Sequence, residues 1–156
     1  MKKILIAMTA LLLPLTSVAE AVTEGAAEAA ATGPGTLEIT ITNIQNAKGI
    51  IHLSLQNSPE GWLSTDEDVK TFRDVSQEIT STDDIVISVD NLPEGGYAIS
   101  LFHDLDGDLE LDTNFIGFPK EPFGFSAPMG MTGPPKFEAA VVEVTEGTSS
   151  LEIELN

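Results

Sequence analysis

Apolar and polar residues alternate with a period of two through most of this chain. In 36–43, Leu37, Ile39 and Ile41 alternate with Glu38, Thr40 and Thr42. In 50–57, Ile51, Leu53 and Leu55 alternate with His52, Ser54 and Gln56. Between these runs, Asn46-Ala-Lys-Gly49 supplies turn chemistry for a hairpin. The alternation returns in 84–90 (Ile85, Ile87, Val89), 97–103 (Tyr97, Ile99, Leu101), 138–145 and 150–155 (Leu151, Ile153, Leu155). Successive strand side chains point to opposite faces, so each run predicts a strand with one buried and one wet face, as in antiparallel sheets. Short strands punctuated by turn residues predict an all-β sandwich, immunoglobulin-like or transthyretin-like, of about seven antiparallel strands.

Two stretches break the pattern. In 59–80, Pro59-Glu-Gly-Trp62 opens a loop, and Asp66 is placed to cap one short helix running to about Arg73, with Val69 and Phe72 on one face. In 113–136, Phe115, Phe118, Phe123 and Phe125 lie among four glycines and five prolines. That composition argues against regular strands and predicts a long Phe/Pro/Gly loop. Connections longer than about 12–15 residues are usually functional or disordered, and four Phe argue against disorder. The expectation is an ordered loop that packs its aromatics over one end of the sandwich.

The amino terminus changes the picture of where the protein works. Lys2 and Lys3, the apolar run 4–15 and the small residues Ser17-Val18-Ala19 read as a signal peptide over 1–19, with Ala19-Glu20-Ala21 as an alternative cleavage site. The run is shorter than the roughly 20 residues that span a bilayer. A periplasmic or secreted protein is expected. Residues 20–35, rich in Ala, Glu and Gly, read as a flexible spacer, and 36–156 as one β-sandwich domain. No cysteine is present, so the domain is expected to stand without disulfides.

Charge then excludes partners. The chain has 25 acidic and 7 basic residues, a net charge of −18, and loss of Lys2 and Lys3 takes this to −20. The remaining basic residues are scattered, whereas nucleic acid requires clustered basic charge. Nucleic acid is therefore excluded, and anionic membrane surfaces are unattractive. Much of the acidity reads equally well as solubility.

The densest chemistry is Asp104-Leu-Asp106-Gly-Asp108-Leu-Glu110-Leu-Asp112, five carboxylates within nine residues. Spacing i, i+2, i+4 in a tight loop can converge oxygen atoms, and calcium takes about 6–8 of them in flexible geometry. The stretch resembles an EF-hand or dockerin-type loop. That likeness implies ligands from Asp104, Asp106 and Asp108, the carbonyl of Glu110, and Asp112. It departs where Leu109 replaces the turn glycine and Phe115 the bidentate Glu. The alternative is a solvated turn whose Asp side chains accept backbone amides.

Two segments resemble known families. Leu92-Pro-Glu-Gly-Gly-Tyr97 is similar to the L-P-x-G-x-Y turn of transthyretin-like and carboxypeptidase-regulatory-like sandwiches, in which the Tyr packs into the core. Phe102-His-Asp, the acidic loop, Leu111-Asp-Thr-Asn114, Gly117-Phe-Pro-Lys-Glu121, Phe123-Gly-Phe-Ser126 and Gly133-Pro-Pro-Lys-Phe137 resemble the bacterial domain-of-unknown-function family 2141 over roughly 36–156. Members often carry Gly and Asn where this chain is acidic. The resemblance implies an exported sandwich and carries no agreed activity.

The remaining candidates are each read two ways. His103 falls on the face of Tyr97, Ile99 and Leu101. It is either a metal ligand or general base beside Asp104, or a buried histidine that ties loop backbone to the sheet. His52 falls on the wet face and is expected to be exposed, away from His103. Trp62, beside Gly61 in a polar segment, is the best candidate for an exposed aromatic. With His103, Asn114, Phe118, Phe123 and Phe125 it makes the candidate ligand-contacting set; the bland reading is a satellite apolar cluster under the loop. No Cys nucleophile, GxSxG elbow or phosphate-binding glycine loop occurs. The expected function is a non-catalytic exported module with a calcium loop at 104–114, contacting a carbohydrate, peptide or envelope protein. The alternatives are a structural envelope or matrix protein with a purely surface acidic loop, and a hydrolase using His103 and Asp104.

Overall fold

The computed structural model describes residues 34–64 and 68–156. The expected signal peptide, nearly all of the expected 20–35 spacer and the expected cap Asp66 lie outside the described residues.

Among the described residues eight strands form two sheets. They are β1 (Gly35–Thr42), β2 (Ile50–Gln56), β3 (Arg73–Glu78), β4 (Ile85–Leu92), β5 (Gly95–Asp104), β6 (Phe123–Phe125), β7 (Val141–Val144) and β8 (Thr148–Glu154). One sheet has the order β4-β1-β8. The other runs β3-β2-β5-β6, with β7 also paired to β5. The alternating apolar residues face each other between the sheets. Leu37, Ile39, Ile41, Ile51, Leu55 and Ile99 have no exposed surface, and Leu53, Ile153 and Leu155 almost none. Burying each such side chain contributes about 1.5–3 kcal/mol. Tyr97 is buried as its motif implies, and its hydroxyl donates to the Pro93 carbonyl at 2.8 Å. Burial raises its phenol above the ordinary range, with Arg73 opposing weakly.

The all-β sandwich is as expected, with four corrections. β1 and β8 pair in parallel, Leu37 opposite Ser149 and Ile41 opposite Ile153, so the sheets are not wholly antiparallel. No helix runs to Arg73. Residues 68–72 are turns and irregular chain, and Arg73 opens a strand paired to β2. Phe72 instead donates its amide to the Leu55 carbonyl at 3.0 Å and packs on Tyr97, ring centres 5.2 Å apart. Among the described residues the one α-helix is α1 (Phe137–Ala140), a single turn where a strand was expected to start. The Phe-rich stretch does form a strand, β6, because Phe123 and Phe125 pair opposite Phe102 and Ser100 while Gly124 faces inward against Ile153.

Candidate functional site

Strand alternation builds the floor of a cleft. Ile51, Leu53, Leu101 and His103 point inward, so His52, Ser54, Ser100 and Phe102 project from the outward face of the five-stranded sheet. Phe123 and Phe125 share that face through their pairing with β5. The long loop then wraps across the face, rather than over an end of the sandwich as expected. It encloses a cleft of about 660 Å³, lined among others by Phe102, Phe118, Phe123, Phe125, Met129 and Met131. Small-molecule sites usually occupy about 300–1,000 Å³ and combine apolar walls with a few polar groups.

The loop holds its shape through hydrogen bonds. After β5 the chain circles through 105–111, then folds back as a short hairpin. Lys120 N–H donates to the Asp112 carbonyl at 2.8 Å, and Asn114 N–H to the Phe118 carbonyl at 2.8 Å. The Asn114 side-chain oxygen accepts the amides of Ile116 and Phe118, each at 3.0 Å. Glu121 lies buried beneath this turn. Its two oxygens accept the amides of Leu105 at 2.7 Å and Asp112 at 3.2 Å, clasping the acidic loop at both ends. Ser126 closes the far side by accepting the Ile99 amide at 2.9 Å.

Asp104 is the hub of the acidic loop. It has no exposed surface. One oxygen accepts the Gly107 amide at 2.6 Å; the other accepts the Leu109 amide at 3.0 Å and faces His52 Nε2 at 3.3 Å. Burial pushes its carboxyl upward, but the two amides and His52 outweigh burial and hold it below the ordinary value. His52 is therefore not simply exposed. It is half-buried, with Nδ1 2.9 Å from Ser76 Oγ and its ring 5.1 Å from Phe102. A carboxylate only accepts, so Nε2 carries the proton toward Asp104, and in the neutral ring Nδ1 accepts from Ser76. His52 and His103 face opposite sides of the sheet and do not meet.

The five-carboxylate set divides. Asp104, Asp106 and Asp108 bring oxygen atoms within 4.8 Å of one another. Glu110 and Asp112 stand outside that group, exposed, and Asp112 pairs with Lys120 at 3.6 Å. Asp106 and Asp108 also accept the amides of Asp108 and Glu110, the turn bonding that a solvated loop would use. Leu109 takes φ 70°, the left-handed conformation that a glycine would supply in an EF-hand loop. Phe115, at the loop's twelfth position, is 99% exposed and offers no carboxylate. The fit to calcium is thus three converging carboxylates, one of them buried and already bonded.

The other candidates separate by role. Phe118, Phe123 and Phe125 come together in the cleft. Trp62 is half-buried rather than exposed. Its Nε1–H donates to the Pro135 carbonyl at 2.8 Å, and its ring meets Phe125 edge-on at 6.0 Å, supporting the wall from behind. Asn114 shapes the turn. His103 is fully buried and its Nε2–H donates to the Lys48 carbonyl at 2.7 Å, which ties the 46–49 turn to β5. Among the described residues its Nδ1 has no hydrogen-bond partner. His52, Ser76, Glu121, Met129 and Met131 were not foreseen as site residues. The available signal was Phe102, an aromatic on a face where its neighbours are polar, which implies that something covers it.

Among the described residues no helix is long and apolar enough to cross a membrane. No curated protein and no solved structure matches the chain. A family model does match, over residues 39–152, and it spans both sheets, the acidic loop and the cleft. The chain therefore belongs to the bacterial family described as "Uncharacterized protein conserved in bacteria (DUF2141)".

Proposed function

We propose that the protein is a non-catalytic binding module, exported to the periplasm or the medium, that seats the apolar part of a ligand in the cleft on its five-stranded sheet. The observation that carries this reading is the cleft of about 660 Å³, walled by Phe and Met and floored by His52, Ser54 and Ser100. Its size and its mixture of apolar walls with few polar groups suit a small ligand or side chains of a larger one. Export rests on the basic, apolar and small-residue order of 1–19.

The test is titration with N-phenyl-1-naphthylamine, an uncharged apolar dye that brightens out of water. Saturable brightening is expected. The double variant Phe118→Ser, Met131→Ser, both exposed at the rim, should weaken it at least about tenfold, equivalent to about 1.4 kcal/mol of lost apolar contact. A wild-type protein that leaves the dye dark, or a variant that binds equally well, ends this reading.

One observation favours a second ligand beside the cleft. The oxygens of Asp104, Asp106 and Asp108 converge within 4.8 Å, and an all-oxygen set suits calcium more than a transition metal. A cation there would offset the repulsion between the three carboxylates and stiffen the loop that walls the cleft. Thermal unfolding is expected to shift upward from EDTA to millimolar calcium. The gain is about 2.7 kcal/mol at a hundredfold excess over Kd, and Asp106→Asn with Asp108→Asn should abolish it. Equal midpoints in EDTA, calcium and salt-matched buffer would remove calcium and leave the cleft reading intact.

A further inference from the structure

The charge around the cleft narrows the class of molecule that fills it. On one flank, Ser54 of the floor donates its hydroxyl to Asp74 at 2.6 Å. On another, the wall residue Leu111 sits within the run Asp106, Asp108, Glu110 and Asp112, all exposed. On a third, Met129 also lines a neighbouring hollow with Glu152 and Glu154, both exposed. Lys120 is taken up by Asp112 at 3.6 Å, and Lys136 follows the prolines that end the loop.

The apolar side chains complete the pattern. Leu63, Phe118, Met129 and Met131 of the cleft are exposed, and Phe115 and Ile116 stand out from the adjoining turn at 99% and 73% exposure. Exposed apolar groups gathered on one side of a soluble domain mark a binding surface. Methionine, unbranched and polarizable, adapts to irregular partners. An apolar groove with an acidic surround is complementary to an amphipathic segment whose other face is basic. The same carboxylates would repel an anionic lipid surface.

We infer that the occupant of the cleft is a cationic amphipathic segment of a partner protein, with its apolar face against Phe118, Phe123 and Met131 and its Lys or Arg side chains on the acidic rim. This rests on the cleft reading above. The rim selects for positive charge, and the loop residues that wall the cleft supply the grip.

The test uses the full chain and a fluorescent synthetic helix with Leu and Trp on one face and Lys on the other. One comparison peptide carries Glu in place of Lys, and another carries Ser in place of Leu and Trp. The first peptide is expected to bind at least about tenfold tighter than either comparison. Binding should weaken with added salt and fall at least about tenfold in Phe118→Ser, Met131→Ser. Equal binding of the Glu peptide would overturn the inference, because charge would play no part. Undiminished binding to the double variant would also overturn it, by showing a general polyanion effect. If N-phenyl-1-naphthylamine binds and no peptide does, the cleft reading stands and this inference falls; if neither binds, both fall. Sedimentation with phosphatidylcholine vesicles in the absence of peptide binding would assign the surface to lipid and overturn it.

Discussion

Asp104→Ala is expected to lower the unfolding midpoint by roughly 10 °C at pH 7, corresponding to about 3 kcal/mol for a domain of this size. The side chain has no exposed surface and accepts from Gly107 N–H, Leu109 N–H and His52. Hydrogen bonds to a charged group contribute about 1.5–3 kcal/mol each, and relaxation of the loop into water recovers part of the loss. The pH dependence separates the carboxylate from the packing. Burial raises the Asp104 carboxyl, but Gly107, Leu109 and His52 together lower it by more, so the folded value lies below the ordinary 3.8. A folded value below the unfolded one means that stability is fully present above the unfolded value and is lost as pH falls through the folded value. The gap between wild type and variant should therefore stay open at neutral pH and close as acid protonates the carboxyl. Asp104→Asn, which keeps the shape, should show the same closing gap. A gap unchanged down to pH 2 would assign the effect to packing and remove the ionised carboxylate as hub of the loop.

Gly49→Ala, a change of one methyl, is expected to cost about 3 kcal/mol. Gly49 has φ 93°, where an L side chain is strained by about 1 kcal/mol. A Cβ there would stand 2.3 Å from the Asp104 carbonyl oxygen and 3.2 Å from Leu105 Cα. Both are backbone atoms, so nothing can swing aside, and moving them costs about 1–3 kcal/mol more. The same shift would disturb the Lys48 carbonyl that accepts from His103 and the Gly49 carbonyl that accepts from Ile79. Gly107→Ala is the matched control. Its φ is 84°, but an added Cβ meets nothing within 4 Å, so only the strain of about 1 kcal/mol is expected. Urea unfolding of the two variants reads the difference. Equal losses would show that the 46–49 turn is not clamped against β5.

Both predictions bear on the cleft, because the acidic loop and the Phe-rich loop share Glu121. Loosening Asp104 frees one end of 105–111, and Glu121 then holds only what remains. The cleft wall is thus an outgrowth of the end of β5, and its rigidity depends on Gly49, Asp104 and Glu121, none of which lines the cleft.

Alternation with period two was enough to place six strands within a few residues: β1, β2, β4, β5, β7 and β8. Each carries two or three branched apolar residues on one face, and nothing but a sheet buries them. The inward position of His103 follows from the same period. Other elements lack such a signal. β3 has the single apolar residue Val75 in Arg73–Glu78, so pairing with β2, not burial, makes it a strand. The helix expected over 66–73 relied on Val69 and Phe72, and the Leu55 carbonyl and the Tyr97 ring claim Phe72 instead. β6 is three residues long and exists because Phe102 and Ser100 offer an open edge.

The sequence by itself determined the class of fold, the inward residues and the family, since these depend on local period and motif. Tertiary structure alone decided direction and meeting. Period two is the same for parallel and antiparallel neighbours, so the β1–β8 pairing could not be read from it. His52 was correctly assigned to the outward face, but its partners are Ser76 on β3 and Asp104 on β5, separated from it by 24 and 52 positions. The cleft has the same origin. Leu63 and Met131 are unremarkable where they stand in the chain, and they share one surface with Phe102 because strand register and the bonds of Asn114 and Glu121 bring distant segments to the same face.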